Sequence, residues 1–216
     1  MADETPPETI RPLHDSWLRP RRVARELASA PIARTDYLLG AVQGIVSWLS
    51  LSRAESAGAS AGVAAIIGRA LLAGPIAGVL GLFLMTAVYL RLGRRVGGVA
   101  TRPQIVHVLA YSGVPMVASL LLWLLTAALA GRVVFVATPH AGIAPFVLLL
   151  LRLQIAAHLF LVLWSLLLQV MGLSEAEGLT ARRTFGVWAL GQALVMLAVM
   201  LLWMLAFGLG GSAPQA

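Results

Sequence analysis

The chain has 216 residues, of which 59% are hydrophobic, and its mean hydropathy of +0.88 implies more apolar surface than a water-soluble domain can bury. It contains no cysteine, which excludes disulfides, thiolate metal sites, cysteine nucleophiles and palmitoylation together. The net charge is +7 and every basic residue is an arginine, so a Schiff-base lysine and a Walker-type lysine are excluded as well.

The predicted elements begin with residues 1–14, acidic and proline-rich with little apolar content, which read as a disordered tail rather than a secretory signal peptide. As a unit that tail is placed at residues 1–19, followed by a membrane domain over 20–210 and a short uncharged tail at 211–216. Residues 15–30 carry Trp17, Leu18, Pro20, Arg21, Arg22, Val23, Arg25 and Leu27. This segment is either a short basic helix in the membrane interface, ended by Pro31, or a plain basic flank of the first span.

A hydrocarbon core of roughly 30 Å needs about 20 apolar residues per helix, and unpaired backbone groups in lipid are costly, so each apolar stretch predicts a helix. The fold class is all-α, a polytopic integral membrane bundle of about five spans, at about 36–54, 66–92, 105–131, 146–171 and 185–208. Asp36 is placed as a cap of the first span, the shortest of the five. Pro75 is expected to bend the second. Pro115 lies within the third, where its missing N–H predicts a kink and an unpaired carbonyl at Tyr111. Gly40 and Gly44 on the first span, and Gly74 and Gly78 on the second, are spaced for close helix approach, within the chain or in a homodimer.

Arginine placement gives the orientation. With the N-terminus inside, the cytoplasmic segments hold Arg11, Arg19, Arg21, Arg22, Arg25, Arg34, Arg91, Arg94, Arg95, Arg102, Arg182 and Arg183. The other side keeps only Arg53, Arg69, Arg132 and Arg152, and the C-terminus falls outside. Charge beside apolar spans, without a recognition module, points to the lipid bilayer and anionic headgroups at the cytoplasmic arginine clusters, with no nucleic acid as partner.

No Asp or Glu occurs between Ser56 and Ser174, which argues against ion-coupled transport and leaves no acid–base pair for catalysis. Glu175 and Glu177 are read as neighbours of Arg182 and Arg183 in a short loop. On the fourth span Gln154, His158, Ser165 and Gln169 fall within about 60° of one another at 100° per residue, so they face the bundle interior. They form a polar groove for a solute, as in a transporter or channel subunit, or a packing stripe bonded to neighbouring helices. His107 and Tyr111 make a second polar patch on the third span, placed to meet the first. His107 and His158 are the two histidines at membrane depth, but with no attachment motif for haem, no cofactor and no metal is expected. His140 is placed in the outer loop.

Residues 90–117 read LRLGRRVGGVATRPQIVHVLAYSGVPMV, a Gly-Gly loop leading to an Ala-Tyr-Ser-x-x-Pro element. With the basic segment ending at Pro31, the Tyr111, Ser112 and Pro115 positions and the Gly172-Leu173-Ser174 loop, this resembles the Yip family of Ypt/Rab-interacting membrane proteins, whose domain also occurs widely in bacteria. Eukaryotic members carry Asp-Leu-x-Gly-Pro, and the nearest counterpart here, Leu71-Leu72-Ala73-Gly74-Pro75, lacks the aspartate. The resemblance implies five spans with a cytoplasmic N-terminus. It implies a non-catalytic protein of membrane organisation or trafficking-like processes, an assembly partner of other proteins, here as a bacterial-type member in the cytoplasmic membrane.

Overall fold

The computed structural model describes residues 12–138 and 143–208. Its helices are α1 (Pro12–Asp15), α2 (Pro20–Glu26), α3 (Arg34–Ala54), α4 (Val63–Arg95), α5 (Arg102–Ser112), α6 (Val114–Ala130), α7 (Pro145–Glu177) and α8 (Ala181–Gly208), with 3-10 turns at Ala57–Ala59 and Gly131–Phe135. No strand occurs among the described residues.

Four helical stretches are long and apolar enough to cross a membrane: Val63–Arg95, Arg102–Phe135, Pro145–Glu177 and Ala181–Leu201. Only 17% of the apolar stretch of α4 and 11% of that of α7 are buried inside the protein. Leu71, Leu72, Ile76, Phe160 and Leu163 point outward. An apolar exterior on this scale needs lipid as its solvent. The segment expected as the first span forms α3, whose 21 residues extend about 31 Å at 1.5 Å per residue. Its mean apolarity is lowered by Gln43, Ser47, Ser50, Ser52 and Arg53, and it is not among the four.

The structure changes three expectations. Residues 12–19, expected within a disordered tail, are ordered: Pro12–Asp15 is a helical turn, Ser16 is buried, and the carbonyl of Trp17 accepts Trp164 Nε1–H at 3.2 Å. The third span is interrupted for one residue, Gly113, ending as α5 at Ser112 and restarting as α6 at Val114. The Gly172-Leu173-Ser174 segment is helix, because α7 runs on to Glu177 and stops only at Gly178, whose φ of +65° suits a residue without Cβ. Pro75 lies inside α4, which continues through it as one helix. His140 and Arg11 fall outside the described residues.

The bundle is built from the α3–α4 hairpin outward. Gly40 and Gly44 face Gly74 and Gly78, so closely that a Cβ on Gly44 would fall on the Gly74 carbonyl oxygen and one on Gly78 on the Gly40 carbonyl oxygen. Of the two uses open to these glycines, packing within the chain is the one seen here. An apolar cluster at one end joins Leu82, Tyr89, Leu92, Ile105, Leu109, Leu173 and Val187. A second, at the other end, joins Leu49, Ile66, Met116, Trp123, Phe135 and Leu151. Between them Val23 of α2 packs with Leu39, Ala110, Tyr111 and Val114, so α2 lies against the bundle.

Gly44→Ala is expected to force α3 and α4 apart at a cost of roughly 1–3 kcal/mol, read as a lower thermal midpoint in detergent. Gly68, also in α4, has nothing within 4 Å of an added Cβ, so Gly68→Ala is expected to be neutral or stabilising. Equal midpoints for the two variants would refute the close crossing.

Candidate functional site

Polar chemistry in this bundle concentrates where the third span divides. Proline at 115 has no N–H to continue the helical ladder, and the carbonyls before it need other donors. Gln43 Nε2 on α3 donates to the carbonyls of Leu109 and Ala110, at 3.3 Å each. Ser112 Oγ donates to the Leu109 carbonyl at 3.1 Å, and Ser165 Oγ of α7 donates to the Ser112 carbonyl at 2.6 Å. Gly113 leaves the space for Gln43, since a Cβ there would overlap the Gln43 side chain. Gln43 is not among the sequence-predicted residues; its signal is an amide in an otherwise apolar span, 66 residues from its partner.

One helical turn earlier, His107 and Asp36 form a buried pair, 3% and 0% exposed, with Nδ1 and Oδ1 2.9 Å apart. His107 Nε2 lies 3.1 Å from the Ala30 carbonyl, which only accepts, so Nε2 carries a hydrogen. Nδ1 then makes the hydrogen bond to Asp36 Oδ1. Asp36 Oδ2 also accepts the Ala33 N–H at 2.7 Å. The expected cap is therefore real, but Asp36 acts from the third helical position, with Ala33 preceding the helix. Tyr111 Oη and Thr35 Oγ1 are 3.3 Å apart. Together these bonds fasten the segment before α3 to α5 and close over a cavity of about 20 Å³ bounded by α2, His107, Tyr111 and Gly172.

The four residues of the α7 stripe share a helix face but bond to different neighbours. Gln154 Oε1 accepts Arg53 Nη1–H of α3 at 2.7 Å. His158 Nδ1 lies 2.7 Å from Ser119 Oγ and Nε2 3.3 Å from Ser50 Oγ, while its ring meets Trp123 edge-on at 5.9 Å. Ser165 closes the break at Ser112, the point where stripe and second patch meet. Gln169 Oε1 accepts Trp188 Nε1–H of α8 at 2.9 Å. This division among α3, α6, the break and α8 does not favour one continuous polar path. Both ring nitrogens of His107 and of His158 are engaged, and no cluster of His, Asp and Glu suited to a metal ion occurs among the described residues.

Glu175 and Glu177 belong to the last turn of α7. Glu175 Oε1 pairs with Arg25 Nε of α2 at 3.2 Å, not with Arg182 or Arg183. Glu177 is 3% exposed. Its Oε2 accepts the Ala100 N–H and its carbonyl accepts the Val99 N–H, both at 3.2 Å. A Cβ on either Gly93 of α4 or Gly98 would overlap its carboxylate, which gives Gly98 of the Gly-Gly loop a steric reason, while Gly97 adopts a φ of +89°. Of the remaining motif positions, Gly74 packs on the backbone of Ile45 and Pro75 follows it within α4.

His107→Ala is expected to cost about 3–5 kcal/mol by leaving Asp36 buried without its partner. The Asp36→Ala, His107→Ala double variant is expected to lose much less than the sum of the single variants. Additive losses in a thermal or denaturant double-mutant cycle would show that the two side chains do not act as a pair.

No curated protein and no solved structure matches the chain. The Yip1 domain family matches it over residues 15–210, from the turn before α2 to beyond α8, a range that takes in the basic segment, the divided third helix and the α7 stripe. A match across nearly the whole chain, with four helices able to cross a membrane, identifies an integral membrane protein that belongs to the Yip1 domain family.

Proposed function

We propose that this protein is a non-catalytic, bacterial-type Yip protein of the cytoplasmic membrane that acts as an assembly partner of other proteins in membrane organisation or trafficking-like processes. The observation that carries the reading is the family match over residues 15–210. The disposition of polar groups supports it: Gln43, Ser165, His158 and Gln169 are bonded between helices. What the molecule offers outward, apart from its apolar sides, is an arginine-rich end. Arg91, Arg94, Arg95, Arg182 and Arg183 are exposed there, where they would meet anionic headgroups or an acidic partner.

On this proposal α3 is a fifth span, with the N-terminus cytoplasmic and the C-terminus outside. Of the polar side chains that lower its average apolarity, Gln43 turns to α5 and Arg53 to α7, and the exposed Ser47 donates to the Gln43 carbonyl of its own helix, so the helix presents less polarity to lipid than its composition suggests. The arginine asymmetry sets the orientation.

The absence of cysteine makes the topology directly measurable. Ser29→Cys, Ser60→Cys and Val99→Cys each place one thiol at an exposed position, before α3, between α3 and α4, and after α4. In intact cells an impermeant maleimide is expected to label only Ser60→Cys, with the other two reacting after permeabilisation. Labelling of Ser29→Cys and Ser60→Cys from the same side would remove α3 from the spans, and the reverse pattern would invert the orientation. For the assembly role, purification in mild detergent from the native membrane is expected to bring a stoichiometric protein partner that is lost from an Arg94→Gln, Arg95→Gln variant. A preparation without such a partner would overturn that role.

A further inference from the structure

The arginine-rich end carries a groove that the fold leaves open. It lies between the last turn of α4 and the first turns of α8 and has a volume of about 700 Å³. Leu92, Arg95 and Val96 line one side, and Arg183, Gly186 and Leu190 line the other. The two helices touch below it: a Cβ on Gly191 would overlap the ring of Tyr89, and Leu92 and Val187 are buried in one apolar cluster. Counted from that crossing, Arg95 lies six residues on in α4 and Arg183 eight residues back in α8, about 9 and 12 Å toward the same end of the bundle at 1.5 Å per residue.

Charge and apolarity are sorted by depth along this groove. Arg95 and Arg183 stand at the helix ends and are exposed, and neither forms an ion pair among the described residues. No Asp or Glu lines the groove. The carboxylates at the neighbouring end of α7 are engaged elsewhere, Glu175 with Arg25 and Glu177 with the turn after α4. One to two turns deeper the wall is apolar and open: Leu190 is 51% exposed, and an added Cβ on Gly186 would meet nothing within 4 Å. Two guanidiniums without acidic partners at the edge of the hydrocarbon attract an anion, and arginine suits the several oxygens of a phosphate. A soluble anion would leave the apolar wall uncovered, and a neutral lipid would leave the arginines uncompensated. An anion that carries an acyl chain meets both demands.

We infer that this groove binds an anionic phospholipid, with its phosphate between Arg95 and Arg183 and an acyl chain along Gly186 and Leu190. The inference rests on the reading of the arginine-rich end proposed above and commits this part of it to lipid rather than to an acidic protein.

The test uses the full chain purified in maltoside micelles, with binding read as the rise in thermal midpoint on titration. The probes are dioctanoyl phosphatidylglycerol, inorganic phosphate, and dioctanoyl phosphatidylcholine, which has the same chains and phosphate but no net charge. A saturable rise is expected with phosphatidylglycerol and a much smaller one with the other two. Arg95→Gln, Arg183→Gln is expected to weaken phosphatidylglycerol binding about tenfold or more. Arg94→Gln, Arg182→Gln removes the same charge from exposed positions outside the groove and is expected to weaken it about twofold, by screened attraction alone. Gly186→Leu fills the groove and leaves the charge unchanged. Its midpoint without lipid is expected to be unchanged or higher, because glycine is the weaker helix former, while its affinity falls about tenfold. The proposal is overturned if phosphatidylglycerol does not bind, if either other probe binds as tightly, if the two double variants lose affinity alike, or if Gly186→Leu keeps the parent affinity. The assembly role is decided separately, by co-purification: a protein partner lost from Arg94→Gln, Arg95→Gln, with no phosphatidylglycerol binding by the parent, would overturn this lipid site and leave that role intact.

Discussion

The rest of the bundle depends on one requirement, that the carbonyls freed at the division of the third span find donors where lipid offers none. The one-residue interruption at Gly113, next to Pro115, frees the carbonyls of Leu109 and Ser112 from the regular ladder, and Gly113 also removes the side chain that would block Gln43. Gln43 from α3 and Ser165 from α7 supply the donors. Three helices are thereby committed to one point in the middle of the bundle. The α3–α4 glycine crossing then decides how near α4 stands to that point, because Gly40 and Gly44 allow contact at backbone distance.

The same requirement governs one end of the bundle. Near α2, the His107–Asp36 pair joins the first turn of α3 to α5, and Glu175 adds an ion pair from α7 to Arg25. At the turn after α4, Glu177 fills space that two glycines leave open and accepts the Ala100 N–H. Each device converts a polar side chain that an apolar medium would penalise into a fastening between elements distant in sequence. Interhelical bonds in membranes contribute on the order of 0.6 kcal/mol each, so no single one holds the bundle; their value lies in fixing which faces meet.

Much of the architecture is legible in the sequence because its signals are local or periodic. Apolar length locates α4, α7 and α8, the small-residue spacing picks out the four glycines that do meet, and the 100° periodicity puts Gln154, His158, Ser165 and Gln169 on one face. The partners of those residues are not legible, because they lie far along the chain. Asp36 and His107 are 71 residues apart, and Glu177 and Ala100 are 77 apart. Pro115 reads as a kink because a proline alone disturbs one hydrogen bond. The adjoining Gly113, with Gln43 opposite it, is what lets the helix interrupt its ladder for one residue while Gln43 reaches the carbonyls of Leu109 and Ala110. The family resemblance places a loop at Gly172-Leu173-Ser174, whereas the stop signal is Gly178, the position that adopts φ +65°.

Polar groups along α7 differ in how their surroundings supply partners. Gln154 lies near the start of this helix and Glu177 at its end, 23 residues or about 35 Å apart at 1.5 Å per residue. A surplus donor at one end therefore cannot satisfy a surplus acceptor at the other. Glu177 accepts the Ala100 N–H of the turn after α4 on Oε2, while its Oε1 has no hydrogen-bond partner among the described residues. Gln154 and Trp123 have no such local supply, and the arginine beside them adds a further donor. Arg182 and Arg183 stand exposed, whereas Arg53 is half-buried and held by Gln154 across the contact of α3 with α7, so that protein supplies part of the polar contact that lipid would deny it.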